Sequence, residues 1–306
     1  MTNRLRKFYT ICAFSFVFLG SAACRAPAQP SEPTLSDGVS GLNTEDPAPL
    51  NASEAPTEPA AIINGETISL ETYEASLARY QKAIDEVGTI LATDNPSRRV
   101  LDDLINRQLL SQAARESGFI ADENMVNQRL EELTEKAGGA EALVSWMTSN
   151  YYTPDSLRQE LGREMEAAWM RDQIIAAVPN SAEQVRARQV LFYTSFEAER
   201  VYVQLQNGAE FDSIVANNDP QELGYLGWFP RGYLLNPELE EAAFSLQPGQ
   251  YSQVIETSLG YHILEVLDYD PNRQLSQDAL LLFQSQSLLL WLEQRWAQSH
   301  IEIFEP

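Results

Sequence analysis

Cysteine and histidine are nearly missing from this 306-residue chain, which has two of each. Cys12 falls inside an apolar leader, so the mature chain keeps Cys24 at most and no internal disulfide can brace the fold. With only His262 and His300, and no Cys/His cluster, neither a structural zinc site nor any other metal or cofactor is expected. Positive charge is scarce as well: 21 Lys and Arg stand against 44 Asp and Glu, for a formal net charge of −23. Binding to phosphate requires clustered Lys and Arg, so nucleic acid is not an expected partner. No apolar run reaches the ~20 residues of a permanent membrane span. What remains is a chain of 44% hydrophobic residues, long enough for about two domains with ordinary cores.

The first residues place Arg4, Arg6 and Lys7 ahead of an apolar run from Phe8 to Leu19 and the small residues Gly20 to Ala23. This is the pattern of an export signal over residues 1–23. Small residues abutting Cys24 resemble a bacterial lipobox, which implies cleavage before Cys24 and lipidation of its sulfur; Ser21 stands where that motif has leucine. Ordinary signal-peptidase cleavage near Ala23 is the alternative. From 24 to 60 the chain is dense in Pro, Ala, Ser and acids and nearly free of large apolar residues. Such a segment cannot offset chain entropy by burial, so an extended, disordered tether is expected.

Order is expected to begin at "AIINGETIS": a strand, an Asn64-Gly65 turn, a second strand, then a helix from near Ser69. Asn95 with Pro96 opens a second helix, whose Leu101, Leu104, Ile105, Leu109 and Ala113 share one face. Two more helices are expected, over about Asp122–Ala137 and from Thr153-Pro154 to about Val178. The adjacent acids Asp102/Asp103 and Glu131/Glu132 point about 100° apart on a helix, so they read as solvated faces and not as converging catalytic carboxylates. Near the carboxyl end, Leu281, Leu288, Trp291, Leu292 and Trp296 recur at helical spacing and require a partner face. Residues 301–304 are expected to return as a strand beside the opening one.

The motifs "INGETIS", "LDDLINRQLLSQAARESG" and "LRQELGREMEAAWMRDQI" resemble the amino-terminal chaperone module of SurA-type and PrsA-type exported foldases. In those proteins a helix from beyond an inserted domain completes the module, and the carboxyl-terminal helix fits that place. The expected division is therefore 61–180 with 274–306 as a helical domain and 181–270 as an insert. The insert reads as a short connecting helix with a capping box from Ser181 to Gln184, the strand "RARQVLFY", two helices, the strand "GYLGWF", a short acidic helix and two final strands. The class is α+β, with an antiparallel sheet wrapped by helices.

This insert, above all "GYLGWFPRGYLLNPELEEAAFSLQPGQYSQVIETSLGYHILEV", resembles a parvulin domain, a peptidyl-prolyl isomerase fold that works without cofactor or covalent intermediate. The resemblance implies a pair of central histidines, a nearby Asp or Cys, and a pocket of Leu, Met and Phe. His262 in "GYHI" takes the place of the second histidine, with Thr257 and Gly260 before it. Gln189 in "ARQVL" stands where the first is expected, so a paired-histidine network cannot exist as such. Asp219 takes the place of the acid, and Leu226, Leu234 and Leu239 those of the pocket, the last two replacing methionine and phenylalanine. Thr257 and Phe244 complete the expected substrate-binding set, although Phe244, Leu246, Trp228 and Phe229 also read as core. His300 is assigned no role.

Two functions follow from the resemblance. One is an exported foldase of the bacterial cell envelope, held at a membrane by a lipidated Cys24, that binds unfolded polypeptides and isomerises X-Pro bonds. The other is a non-catalytic chaperone in which the parvulin-like fold serves as a peptide-binding or spacing module. A homodimer is left open by the sequence.

Overall fold

The computed structural model of the chain describes residues 58–87, 95–219, 221 and 224–304. The expected export signal, most of the tether and Cys24 lie outside them. Contacts divide the chain into two compact units, one formed by the described residues up to Ile62 with Thr67–Ile105 and those from Ile303, the other by Ile63–Glu66 and Asn106–Glu302.

The first unit holds most of strand β1 (Pro59–Ile63) and strand β2 (Glu66–Ser69), helix α1 (Leu70–Val87) and the first half of helix α2 (Pro96–Glu116). Asn64 and Gly65 both take positive φ, 52° and 87°, as a two-residue hairpin turn requires. Ser69 Oγ caps α1 by accepting from Thr72 N, and Asn95 Oδ1 caps α2 through Arg98 N, with Pro96 at the first helical position. Ile68, Tyr73, Tyr80, Val100, Leu101 and Leu104 are buried here. Strand β7 (Ile301–Ile303) pairs beside β1 in the order β2-β1-β7, as expected for the returning strand. Asp102 departs from expectation. It is half-buried against Arg98 at 2.8 Å, and burial raises its carboxyl pKa while Arg98 pulls the other way.

The second unit contains helices α3 (Glu123–Ala137), α4 (Ala140–Ser149) and α5 (Pro154–Ala176). Asp122 caps α3, and Thr153 caps α5 in a capping box with Ser156. Helix α4 was not foreseen; it packs Leu143 and Met147 against Leu157. Helix α9 (Gln277–Gln298) lays Leu288 and Leu292 against Leu110, Ala167 and Ile174, so the carboxyl-terminal helix does complete the helical part. Leu281 is the exception on its expected face, being 53% exposed. A buried carboxylate, Glu166, accepts from Ser111 Oγ at 2.6 Å and Arg115 Nη1 at 3.0 Å, and Arg115 also grips Glu66. Removing one member of such a network strands a buried charge.

The same unit carries a four-stranded antiparallel sheet, order β4-β3-β6-β5, built from β3 (Ser181–Phe192), β4 (Tyr225–Pro230), β5 (Ile255–Thr257) and β6 (Gly260–Gln274). Helices α6 (Ser195–Gln206) and α7 (Phe211–Asn218) cover one face, where Val190, Phe192 and Ile263 meet Val201, Leu205, Phe211 and Ile214. Helix α8 (Pro237–Ser245) covers the other, with Val185, Phe229, Leu264 and Val266 in its core. The expected connecting helix at Ser181–Gln184 is absent: those residues begin β3, because Gln184 Nε2 is taken by the carbonyls of Arg273 and Gln274, and Ser181 Oγ donates to Asn272 Oδ1. Long-range pairing overrides the local capping pattern. The sheet's first and last strands leave side by side, with Leu275 N donating to Asn180 O at 2.8 Å.

Candidate functional site

The central strands β3 and β6 bring Gln189 and His262 to one point on the sheet. His262 is 1% exposed, and both ring nitrogens are engaged: Nδ1 lies 2.8 Å from Gln189 Oε1 and Nε2 lies 2.8 Å from Thr257 Oγ1. An amide oxygen only accepts, so Nδ1 carries the proton; in the neutral ring Nε2 accepts from the Thr257 hydroxyl, which also lies 3.4 Å from Gly260 O. Burial pushes the His262 pKa below the ordinary value, which favours the neutral form. The glutamine thus holds the histidine by one hydrogen bond and leaves the two hydrogens of its Nε2 for other acceptors.

Gln189 also lines a cavity of about 470 Å³. Leu226 of β4, Leu239 of α8 and Leu234 of the intervening loop supply apolar wall, and Tyr233, Leu235 and Asn236 of that loop border it. Asp278 and Leu282 of α9 complete the lining. This size and character suit a small apolar group with a few polar anchors. The loop is held by a residue that sequence reasoning missed: the Glu240 carboxylate of α8 accepts from the backbone amides of Gly232 (2.6 Å), Tyr233 (3.0 Å) and Leu234 (3.1 Å). Three charge-assisted bonds to successive amides fix the backbone that presents Leu234. An acidic residue reaching backward across a proline-capped helix start leaves no local signal.

The other expected residues fall around this centre in different ways. Thr257 touches His262 and not the cavity lining. Asp219 is linked to Gln189 through backbone: its Oδ2 accepts from Gly224 N at 2.9 Å, and Gly224 O accepts from Gln189 N at 2.8 Å. Position 224 must be glycine, since it takes φ 63° and a Cβ there would lie 1.9 Å from Gln189 O. Phe244 stacks edge-on against Phe229 at 6.1 Å between centroids and is core to the α8 face, outside the cavity lining. Phe229 is buried as expected, whereas Trp228 is not core: it is half-exposed, with the Arg273 and Arg186 guanidiniums 4.2 and 5.6 Å from its ring centroid. His300 pairs with exposed Glu302.

A PPIC-type PPIase domain (Rotamase) matches residues 176–268, and a SurA-like N-terminal domain matches residues 38–171. The chain joins a SurA-like domain to a PPIC-type PPIase domain. Among its relatives is Foldase protein PrsA of Caldanaerobacter subterraneus subsp. tengcongensis, 26% identical over 226 residues, covering 67% of this chain and 72% of that one. Chaperone SurA of Ralstonia nicotianae is 23% identical over 286 residues, covering 79% of this chain and 56% of that one. The crystal structure of the peptidylprolyl isomerase PrsA from Bacillus cereus aligns with a TM-score of 0.45 at 18% identity, over 79% of this chain and 90% of that one. The Gln189, His262 and Thr257 chain and the leucine-lined cavity all have their sheet and loop residues within the PPIase domain. Asp278 and Leu282 lie beyond both matched segments. No group of His, Cys, Asp and Glu among the described residues could hold a metal ion, and no described helix is long and apolar enough to cross a membrane.

Proposed function

We propose that this protein is an exported foldase that binds unfolded polypeptides and catalyses cis-trans isomerisation of X-Pro bonds in the cavity beside Gln189. Rotation about an amide is slow because resonance sets a barrier of ~18 to 20 kcal/mol. The barrier falls if the proline ring is gripped away from water and the twisted amide is met by fixed hydrogen bonds. Leu226, Leu234 and Leu239 grip the ring, and the Gln189 amide donates to the twisting amide. His262 and Thr257 are positioning residues that fix the Gln189 side chain, and Asp219 acts through the Gly224 backbone. The observation that carries this reading is the part-buried Gln189 to His262 bond at the edge of an apolar cavity.

NMR exchange or a protease-coupled assay on Ala-Xaa-Pro-Phe peptides with the full-length protein tests it. Turnover above buffer at micromolar protein is expected. A rate equal to buffer, with aggregation of an unfolded client still suppressed, establishes the second reading instead, a non-catalytic chaperone. That reading draws on Gln189 itself, which cannot titrate or change tautomer as a histidine does. Gln189→His is expected to raise turnover severalfold if the remaining scaffold is competent.

The helical domain (61–180 with 274–306) binds clients in this proposal, and the insert (181–270) carries the isomerase. The leader sends the chain across a membrane, and lipidated Cys24 retains it there. Recovery of the full-length protein in the membrane fraction, and its release by Cys24→Ser, is the expected outcome.

A further inference from the structure

The cavity wall contributed by α9 contains Asp278, the only charged side chain of the lining among the described residues. The other described lining groups are apolar, amide or phenolic side chains, so Asp278 brings a negative charge to an otherwise uncharged described wall. Asp278 is exposed and lies in the first turn of α9, where Ser276 Oγ already caps the helix by accepting from Ala279 N. Its carboxylate is therefore not needed as the cap, and Asp278 is an exposed member of the cavity lining. The same helix closes on the pocket at a second point, with Phe283 Cε1 3.7 Å from where a Cβ on Gly232 would sit. The α9 wall is thus built against the loop that Glu240 holds.

We infer that Asp278 makes the site selective for X-Pro sequences with a Lys or Arg within one residue of the proline, so that specificity is set by a helix outside the PPIase domain. This rests on the reading that the cavity receives the proline ring. A cation beside the ring gains Coulomb attraction to Asp278 in a partly exposed setting, which is worth about a two- to fivefold advantage over alanine. An acid there meets repulsion of similar size. The advantage shrinks in salt, since the two charges face solvent.

The test measures kcat/KM by NMR exchange, and binding by NMR titration, for peptides in which the residue before or after proline is Lys, Ala or Glu. The full-length protein is compared with Asp278→Asn, Asp278→Lys and Glu293→Gln, the last an exposed acid elsewhere on α9. The expected order is Lys above Ala above Glu at one of the two positions, a Lys-to-Ala ratio that falls to about one in Asp278→Asn, and inversion in Asp278→Lys. Ratios within one variant are unaffected by any change in its folded fraction. Equal rates for all three residues overturn the inference while leaving the isomerase reading intact. A ratio that falls equally in Glu293→Gln also overturns it, because net charge and not the pocket would then be responsible. Absence of both binding and turnover for every peptide overturns the underlying reading, and the inference with it.

Discussion

A neutral, buried histidine held by an amide has a titration signature. Burial lowers the His262 pKa, so between the unfolded value near 6.5 and the lower folded value the unfolded chain binds a proton that the folded chain does not. The contribution of His262 to stability is fully present above pH 6.5 and is lost as pH falls through that window. Urea unfolding at a series of pH values is expected to show a slope there that is missing in His262→Gln, whatever the carboxylates contribute in both proteins. Gly224 is the other single position on which the site depends. Gly224→Ala puts a methyl group into Gln189 O and forces positive φ on a residue with a Cβ, so a loss of about 2 kcal/mol or more is expected in denaturant titration. Gln189 and His262 were both visible in the sequence as strand residues, but the bond between them was not, because it joins residues 73 apart across paired strands.

Elements announced by their own ends were legible, whereas some that depend on distant partners were not. Asn95-Pro96 and Thr153-Pro154 mark helix starts because their capping bonds close within three residues. Helix α4 escaped because its N-cap is Gly139, with no side-chain bond, and because Val144 and Trp146 are exposed, 55% and 43%, which blurs its apolar face. The Ser181 to Gln184 pattern pointed the wrong way since nothing local shows that β6 extends to Gln274 and claims the Gln184 side chain. The loop between β4 and α8 depends on Glu240 alone for three of its amides. Glu240→Ala is expected to abolish hydrogen-exchange protection at Gly232, Tyr233 and Leu234 and to weaken peptide binding several-fold, at a global cost of only about 1 to 2 kcal/mol because the freed amides can turn to water.

The bond between Leu275 N and Asn180 O sets both ends of the sheet segment at one place, where a short linker can replace the whole of it. A variant with residues 182–273 replaced by a Gly/Ser linker is expected to keep α5 packed on α9, to unfold cooperatively, and to retain client protection without turnover. Loss of helical circular dichroism beyond the residues removed would count against an independent helical domain. Because α9 lies downstream of every strand of the large sheet, the order in which the chain emerges has a consequence for the site. Under the proposed export, a chain threaded amino terminus first presents strands, loop and leucines before the segment bearing Asp278 and Leu282 has arrived. The pocket would then gain its α9 wall, with its charge, last.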